Sequence, residues 1–391
     1  MTTTRTLLVL NDADYFFSHR RAIAEAARVE GYDVHVALPF RSDDIRFHGL
    51  PYPVHPIPLE RGGVDPRRDL STLVALVRLY RRLRPDLVHH VTIKPVLYGG
   101  LAARLTGIPT VIQGMTGLGH VFHTRSATAE LLRRTLRHPL AWGCLGEQVT
   151  VLFQNPGDRD RFVDLGICRQ NQTIIIRGSG VDLERFHPRS RDAEPEERPL
   201  VVLGSRMLWD KGVGEFVEAA RRLHARGVKA RWVLLGGTDA NPLSIAEHQL
   251  RAWEREGVVE WWGHRDDMAE VLRRASVACL PSHHEGLPKF LLEAAASGLP
   301  IVATDIPGCR QIVSPGINGL LVPIDDAPAL ADALAILVDD PDTRAAMGAR
   351  SRALAEDGLG VDAVMRLTMR LYAEKLRGVG ISAPVRRECP A

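Results

Sequence analysis

Two glutamates flank a place in the second half of the chain where a predicted strand leads into a helix. Glu285 lies in a glycine- and proline-containing loop after Leu280, and Glu293 lies in the helix that begins near Pro288. A helix N-terminus offers free N–H groups and a positive dipole end to an anion. Carboxylates beside such an anion can accept hydrogen bonds from sugar or ribose hydroxyls. The pattern predicts a site for an anionic sugar derivative; a helix cap with a solvated Glu293 is the alternative.

Two basic residues follow another predicted strand of the same half, in the segment Gly204-Ser-Arg-Met-Leu-Trp-Asp-Lys-Gly212. Arg206 and Lys211 can neutralise a diphosphate, and Gly212 allows a close approach of the backbone. The segment is not a P-loop, because the order Gly-x-x-x-x-Gly-Lys-Ser/Thr is absent. It predicts a diphosphate site, with a surface turn as the alternative.

Small and polar residues follow two predicted strands of the first half. Thr92 and Lys94 come after the strand Leu87–Val91 and could contact a phosphate. After the strand Pro109–Gln113, four small residues would let the backbone approach a ligand: Gly114, Thr116, Gly117 and Gly119. The alternative is an ordinary junction between strand and helix.

Strand-like apolar runs alternate with helical segments through both halves of the chain, which predicts parallel sheets covered by helices on both faces. The alternation stops in a segment that has three prolines and seven charged residues among thirteen, and then starts again. We therefore expect an α/β protein with two doubly wound, Rossmann-like domains facing a cleft, since ligands of such sheets bind at the carboxyl ends of the strands. The expected parts are an N-terminal acceptor-binding domain 1–186, a linker 187–199, a donor-binding domain 200–352, C-terminal helices 353–378 packing on the first domain, and a tail 379–391.

Composition limits the class of protein. With 391 residues, 45% of them hydrophobic and 25% charged, the chain is typical of globular proteins with two or three domains. Five scattered cysteines without a Cys-x-x-Cys pair fit a reducing compartment better than a disulfide framework. No signal peptide and no apolar run of membrane-spanning length is visible, which predicts a cytoplasmic protein. The first 180 residues carry 23 basic and 16 acidic side chains, which favours an anionic partner such as a membrane surface, with chance as the alternative.

Metal binding is not expected. The fifteen histidines show no ligand spacing such as His-x-x-x-His. Two Asp-x-Asp matches, Asp12–Asp14 and Asp158–Asp160, are short enough to arise by chance, and the second precedes a helix and suggests a cap. We therefore predict no metal and no cofactor.

Glu285 and Glu293, separated by seven residues, resemble the double-glutamate signature of retaining glycosyltransferase family 4. Arg206 with Lys211 and Gly212 resembles that family's cationic pair for the donor diphosphate. The segments Ala303–Gly308 and Asn318–Pro323 resemble the end of the family's donor site. The resemblance spans nearly the whole chain and implies the GT-B fold, in agreement with the two predicted domains.

The resemblance also implies roles on the donor side. Arg206 and Lys211 would hold the pyrophosphate, Glu285 would contact the transferred sugar, and Glu293 would bind the ribose; Glu285, Arg206 and Lys211 form the expected catalytic set. The remaining donor-binding residues implied are Gly204, Gly236, Gly237, His264, Arg265, Gly286 and Leu287.

The first half resembles the subgroup of family 4 that extends undecaprenyl-diphosphate-linked sugars. The segments concerned are Ser18–Arg20, Thr92–Arg104 and Gln113–Phe122. The acceptor-side residues implied are His19, Arg20, Thr92, Lys94, Gly114, Thr116, Gly117 and His120. Many members of the family carry a histidine near the position that Met115 occupies in this chain. Because that histidine is absent here, the donor's own phosphate would take the acceptor proton. His120, the nearest histidine, is expected to be structural.

The resemblance implies a retaining transfer of a hexose or N-acetylhexosamine from a nucleotide-diphospho-sugar, with uridine expected, to a lipid-diphosphate-linked saccharide. The product would belong to cell-surface polysaccharide or glycan synthesis, at the cytosolic face of the inner membrane. The segment Ala129–Trp142 is the predicted contact with anionic lipid, and packing of its leucines into the core of the first domain is the alternative. Its apolar anchors would be Leu131, Leu132, Leu136, Leu140 and Trp142, and its charges Arg133, Arg134 and Arg137. A non-hydrolysing sugar-nucleotide epimerase and a non-enzymatic basic module remain alternatives. Nucleic acid is not expected as a partner, because aromatic residues make up only 6% and do not alternate with the arginines.

Overall fold

The computed structural model describes residues 3–41, 43–60, 65–117, 127–190, 197–239 and 241–384. The chain divides into two compact units, one formed by Met1–Ser179 with Val364–Ala391 and the other by Gly180–Ala363. Each has a parallel sheet with helices on both faces, as the alternating pattern predicted.

In the first unit, the described residues form a sheet of seven parallel strands in the order β3-β2-β1-β4-β5-β6-β7. The strands are β1 Arg5–Val9, β2 Asp33–Leu38, β3 Val54–Pro56, β4 Leu87–Val91, β5 Thr110–Met115, β6 Val149–Phe153 and β7 Thr173–Ile175. The helices are α1 Ala13–Tyr15, α2 Arg21–Val29, α3 Pro66–Leu83, α4 Gly100–Thr106, α5 Ala127–Cys144 and α6 Pro156–Asp164. Two π-helical turns, Phe16–Arg20 and Pro95–Gly99, follow the ends of β1 and β4.

In the second unit, the described residues form six parallel strands in the order β10-β9-β8-β11-β12-β13. The strands are β8 Leu200–Gly204, β9 Arg231–Leu235, β10 Glu260–Trp261, β11 Val277–Leu280, β12 Ile301–Thr304 and β13 Gly319–Val322. The helices are α7 Val213–Ala225, α8 Glu247–Arg255, α9 Met268–Arg274, α10 Lys289–Ala296, α11 Ala327–Asp339 and α12 Pro341–Glu356, and α13 Val361–Gly378 follows them.

The register of the second sheet decides which loops meet. Leu203 on β8 pairs with Cys279 on β11, and Gly204 pairs with Leu235 on β9. The strands are parallel, so their carboxyl ends lie at one edge of the sheet. The loops that leave β8, β9 and β11 therefore begin side by side, and these loops carry the predicted donor-side residues Arg206, Lys211, Gly236, Gly237, Glu285, Gly286 and Leu287.

The helices around these strands begin and end where local chemistry requires. In α3, the Asp65 side chain accepts from the N–H groups of Arg67 and Arg68, and Pro66 occupies the first turn. Arg84 ends the helix in the left-handed conformation, with φ of 48°, just before a proline. The inner strands of each sheet are buried on both faces, which explains their nearly continuous apolar sequences, whereas the edge strands β3, β7 and β10 are only half-buried.

The division of the chain differs from the predicted one. The second unit begins at Gly180, because Val181 bridges to Gly360 and Phe186 packs in the core of that unit. The described residues of 187–199 therefore follow the start of the second unit instead of separating two domains. The predicted C-terminal set 353–378 is also split, since α12 belongs to the second unit and residues from Val364 onward belong to the first.

The predicted tail is ordered where the structure describes it. The Thr4 hydroxyl donates to the carbonyl oxygen of Ser382 at 2.9 Å, and the N–H of Ile381 bonds back to Leu376. Sequence reasoning also missed the short strands β3, β6, β7 and β13 and both π-helical turns. Edge strands of three or four residues such as β3, β7 and β13 give little periodic signal, and a π-turn gives none, whereas β6 is an inner strand of five residues whose apolar run was overlooked.

Candidate functional site

Lys211 and Glu285 form an ion pair at the carboxyl edge of the second sheet. Lys211 Nζ lies 2.8 Å from Glu285 Oε1, and it also donates to the His284 carbonyl at 3.2 Å and to Ser282 Oγ at 3.4 Å. The two charged side chains are only 15% and 18% exposed. A partly buried cation beside a carboxylate can bind a phosphate while the carboxylate orients a sugar hydroxyl.

The glycine after Lys211 makes the ion pair between Lys211 and Glu285 sterically possible. Gly212 follows Lys211 with φ of 70°, and a Cβ atom added there would lie 2.0 Å from the carbonyl oxygen of Pro281. Only glycine fits both the left-handed backbone and the close approach of the two loops. The predicted need for glycine at this position is therefore steric: it lets the loop after β8 lie against residues 281–288.

The loop that carries Glu285 is also held from the side of β12. A Cβ atom on Gly308 would lie 2.3 Å from the Glu285 carbonyl oxygen and 2.8 Å from that of Gly286. The Thr304 hydroxyl donates to the Ser282 carbonyl, and Leu287 packs against the apolar core of this unit. The segment Ala303–Gly308, which resembles the end of the family's donor site, thus packs against the backbone of the loop that carries Glu285.

Arg206 lies at the same edge with a different partner. Its guanidinium forms an ion pair with Asp239 in the loop after β9, and its side chain is 44% exposed. Next to it, the Met207 N–H donates to the Gly237 carbonyl at 3.0 Å, which joins the loops after β8 and β9. Sequence reasoning missed Asp239, although its place four residues after a strand end is a usable signal. An incoming diphosphate would compete with Asp239 for Arg206.

Glu293 is buried, so the alternative of a solvated glutamate is wrong. It is 9% exposed on α10, and Lys289 Nζ lies 3.5 Å from its Oε1. Burial raises the pKa of the Glu293 carboxyl, while Lys289 and Arg185 act in the opposite direction. A buried carboxylate next to one lysine is poised to accept a hydrogen bond from a neutral hydroxyl donor.

Of the four residues predicted to line the nucleotide base, Gly236, Gly237 and His264 lie near one another, whereas Arg265 bonds within its own segment. Gly236 has φ of 143°, and a Cβ atom there would lie 1.7 Å from the Ser205 carbonyl oxygen; its own carbonyl accepts from Trp261 Nε1 at 2.9 Å. A Cβ atom on Gly237 would lie 3.9 Å from Cβ of His264, so these two residues are neighbours.

Arg265 and Gly204 have local partners. Arg265 Nε donates to Asp267 at 2.7 Å, so the guanidinium forms its ion pair with a carboxylate only two residues away in the chain. Gly204 lies under the Phe290 ring, where a Cβ atom would be 2.3 Å from the ring, so it serves packing.

An imidazole and two carboxylates from three segments of the second unit meet beside this loop. His283 Nε2 lies 3.3 Å from Glu215 Oε1 and 3.1 Å from Asp325 Oδ1. Within the described ranges, this is the group of side chains close enough to share a cation, with the polar atoms all within 4.8 Å of one another. At these separations the His283 Nε2–H group can donate to both carboxylates, and the two negative charges favour the protonated, cationic form of the imidazole. Sequence reasoning did not single out this cluster, since its members are 68 and 42 positions apart.

In the first unit, Arg20 lies at the end of the π-helical turn after β1 and is 4% exposed. Its Nη2 donates to the Tyr15 hydroxyl at 3.1 Å, and its Nε is buried with no hydrogen-bond partner among the described residues. Across the described part of the chain, no carboxylate pairs with it. His19 beside it stacks on the Tyr15 ring, with centroids 4.5 Å apart, and shares a 2.7 Å hydrogen bond with Ser18.

Thr92, just after β4, has a strained backbone. Its φ of 76° is rare for a β-branched residue, and its Oγ1 is buried with no hydrogen-bond partner among the described residues. Its N–H bonds to the Gly114 carbonyl of β5 at 3.0 Å. Strain and an unsatisfied hydroxyl at adjacent strand ends are typical of ligand sites.

The remaining acceptor-side residues differ in their burial and in their partners. Lys94 Nζ lies 3.6 Å from Asp69, and both are 16% exposed. Thr116 and Gly117 follow β5, and both are half-buried. His120 lies outside the described residues. Met115 is fully buried in the core of the unit, so it cannot replace the histidine of other members as a ligand-facing group.

The paired histidines of β4 are structural. His89 bonds to the Tyr372 hydroxyl and His90 to that of Tyr80, each at 2.7 Å, and His90 also contacts Gln113. Burial lowers the pKa of His89 to about 3 and that of His90 to about 4.

The two Asp-x-Asp matches also have structural roles. Asp12 caps α1 by accepting from the Tyr15 N–H. The second match does not precede and cap a helix as predicted: Asp158 and Asp160 lie inside α6, and the cap is Asn155, which accepts from the Asp158 N–H at 2.8 Å.

The predicted membrane segment lies on α5 and is only partly available. Leu140 is fully buried and Leu136 packs against the core, whereas Leu131 is 65% and Trp142 44% exposed. Leu136 and Leu140, two of the expected apolar anchors, are therefore not available to lipid, as the alternative of core packing predicted for the leucines, whereas Leu131 and Trp142 are exposed. Nowhere in the described ranges is a helix both long and apolar enough to cross a membrane.

Comparisons with known proteins agree with this geometry. The family description "Glycosyl transferases group 1" matches residues 198–340, and "Glycosyl transferase 4-like" matches residues 6–141. The chain is 27% identical over 377 residues to the N,N'-diacetylbacillosaminyl-diphospho-undecaprenol alpha-1,3-N-acetylgalactosaminyltransferase of Campylobacter jejuni, covering 93% of this chain and 96% of the relative. It is 25% identical over 284 residues to the UDP-Gal:alpha-D-GlcNAc-diphosphoundecaprenol alpha-1,3-galactosyltransferase of Escherichia coli, covering 70% and 71%.

Solved structures show the same fold. The sucrose-phosphate synthase from Thermosynechococcus elongatus superposes with a TM-score of 0.81 at 20% identity, covering 96% of this chain and all of that one. The Anabaena Alr3699/HepE protein in complex with UDP-glucose gives a TM-score of 0.73 at 17% identity, covering 94% and 99%. The GT-B prediction is confirmed by these likenesses and by the two parallel sheets. Both halves match glycosyltransferase families, and the chain therefore belongs to the family 4-like glycosyltransferases with the GT-B fold.

Proposed function

We propose that this glycosyltransferase moves a hexose or N-acetylhexosamine from a UDP-sugar to a saccharide on a lipid diphosphate, with retention of the anomeric configuration. The observation that carries the proposal is the partly buried Lys211–Glu285 pair at the carboxyl edge of the second sheet. The names of the two relatives, which describe transferases acting on undecaprenol-diphosphate-linked sugars, support the class of acceptor.

On the donor side, two cations face the charge of a nucleotide diphosphate. Lys211 would bind one phosphate while it keeps Glu285 in place, and Arg206 would exchange Asp239 for the other phosphate. Glu285 would then accept a hydrogen bond from the transferred sugar, and Glu293 would accept one from the ribose.

The proposed transfer uses the donor's own phosphate as the base. The bond from the anomeric carbon to the diphosphate oxygen breaks, and the acceptor oxygen bonds to the same face of that carbon. The acceptor proton passes to the departing phosphate oxygen. Lys211 and Arg206 stabilise the negative charge that develops on the diphosphate, where a fixed cation is most effective. The burial of Met115 supports a route without a protein base at that position.

On the acceptor side, Arg20 supports an anionic group. A guanidinium that is 4% exposed, with no carboxylate partner among the described residues, is costly unless an anion binds it. A phosphate of the lipid diphosphate has the required charge. The strained Thr92 lies at the end of β4, which pairs with β1. We assign these two residues to the acceptor phosphate.

Attachment to the cytosolic face of the inner membrane follows from such an acceptor. Leu131 and Trp142 are exposed on α5, and the Arg104 guanidinium lies 5.4 Å from the Trp142 ring centroid. An aromatic ring with a cation above it suits the region of lipid headgroups.

The test is a donor and acceptor screen. Purified protein is incubated with radiolabelled UDP-sugars, with and without lipid-linked saccharides extracted from a polysaccharide-producing bacterium. Label that moves into the lipid fraction only with one donor and only when acceptor is present supports the proposal. Conversion of the UDP-sugar into its epimer without acceptor would overturn it in favour of an epimerase.

A further inference from the structure

His283 lies two residues before Glu285 and connects three segments of the second unit. Its ring bonds to Glu215 on α7 and to Asp325 in the turn after β13. Its backbone N–H donates at 2.9 Å to the carbonyl oxygen of Asp210, which lies next to Lys211. The side chain and backbone of one residue therefore hold the loop of Glu285 against the loop of Lys211.

The geometry of the cluster explains why a cation is needed there. Glu215 and Asp325 both point an oxygen at His283 Nε2, and like charges so close repel each other. Asp325 has φ of 59°, a left-handed conformation that is uncommon outside glycine, and it is held there beside the imidazole. Asp210 adds a third carboxyl near the ring, and its Oδ1 is buried without a hydrogen-bond partner in the described ranges.

We propose that His283 is a positioning residue for donor binding: its imidazole joins residues 281–288 to α7 and to the turn after β13, and so keeps Glu285 within reach of Lys211. This inference rests on the proposed function for its effect on UDP, but the connection between the three segments does not. His283 touches neither substrate in this scheme; it acts through Glu285 and Lys211.

The proposal has a pH dependence with a definite sign. The hydrogen bond to Glu215 raises the pKa of His283 above 6.5, burial opposes this, and Asp325, Glu215 and Asp210 reinforce it. For Glu215, burial raises the pKa and is the largest single effect, but the hydrogen bond and charge of His283, together with hydrogen bonds to the backbone and to Asp325, leave the pKa of the carboxyl below its usual value. A group with a raised pKa contributes stability below its unfolded pKa and loses it as the pH rises through the folded one. The loop is thus held tightly at pH 6 and loosened in alkaline solution.

The experiment compares His283→Gln with a matched control, His224→Gln. His224 is an exposed histidine on α7, far along the helix from the cluster. The glutamine amide still offers N–H donors but carries no charge, so it removes the titration while it retains most of the shape. Hydrogen exchange of a peptide that covers residues 281–288, corrected for the intrinsic rate, and the Kd of UDP are measured from pH 6 to pH 9.

At pH 6, we expect His283→Gln to bind UDP about threefold to tenfold more weakly than the control. This is less than the loss of a direct charge-assisted hydrogen bond to phosphate, because His283 acts on UDP only through Glu285 and Lys211. The ratio of the two Kd values should approach one at pH 9. Exchange of the 281–288 peptide should rise with pH in the control and stay high in His283→Gln.

Two outcomes separate the proposal from the proposed function. A Kd ratio that is the same at every pH, or exchange of residues 281–288 that His283→Gln leaves unchanged, overturns the positioning role. If the control protein does not bind UDP at any pH, the donor assignment fails. The exchange measurement then still supports or overturns the connection through His283.

Discussion

Replacing Lys211 by methionine tests the diphosphate site with little change of shape. Lys211 Nζ has three acceptors, of which Glu285 Oε1 at 2.8 Å is the nearest, and the side chain is only 15% exposed, so water screens its charge weakly. One charge-assisted hydrogen bond to a phosphate contributes about 1.5–3 kcal/mol. Loss of that contact should lower kcat/KM by roughly tenfold to a hundredfold.

The distribution of this loss identifies when Lys211 acts. If it stabilises the departing diphosphate, as proposed, kcat falls more than KM rises. The assay is the initial rate of transfer over a range of UDP-sugar concentrations, together with the Kd of UDP. The matched control is Lys229→Met, since Lys229 is exposed before β9 at the opposite edge of the sheet. Transfer by Lys211→Met at the rate of this control would refute the assignment.

Four further changes test other parts of the account. Gly212→Ala places a Cβ atom against the facing loop, so it should lower the melting temperature and weaken UDP binding together, and normal values of both would contradict the packing argument. Glu293→Gln should weaken UDP binding severalfold. Burial raises the pKa of the Glu293 carboxyl, so its charge destabilises the fold at neutral pH and this cost vanishes in acid. The variant should therefore melt at a higher temperature than the wild type at pH 8 and at the same temperature at pH 4. A chelator should leave the rate of transfer unchanged, and restoration of a lost rate by Mn²⁺ or Mg²⁺ would show that a metal is needed. Arg134 and Arg137 are both exposed on α5, and changing both to serine should weaken binding to anionic vesicles at low salt by about tenfold or more, as measured by co-sedimentation. Wild-type binding that is equally weak to neutral and to anionic vesicles would exclude this surface.

The sequence predicted the second-unit site well because its signals are local. Glu285 and Lys211 each follow a strand and precede a helix, and adjacent parallel strands bring such positions together at one edge. Their partners were harder to find. The position of Asp239 soon after a strand could have marked it as a candidate, but its pairing with Arg206 could not be read from spacing. The cluster around His283 joins residues far apart in the chain, and no spacing rule reports such contacts.

The boundaries and faces were predicted less well, also for physical reasons. The proline-rich segment 187–199 looked like a linker, but the second unit begins earlier because Val181 pairs with Gly360. On α5, the leucines had the composition of a membrane face, and burial of Leu140 against the sheet could not be read from one helix alone. Arg20 was chosen by resemblance, whereas its burial without a carboxylate partner among the described residues became visible only in three dimensions.

The most direct test of the central claim is the structure of the lipid product. Wild-type protein and Glu285→Gln are each incubated with the UDP-sugar chosen by the screen and its lipid-linked acceptor, and the product is analysed by mass spectrometry and by NMR of the new linkage. We predict that the wild type adds one sugar to the lipid-linked saccharide with the anomeric configuration of the donor, and that Glu285→Gln keeps its fold but loses most of this product. An inverted linkage, or an equal yield from Glu285→Gln, would contradict the account.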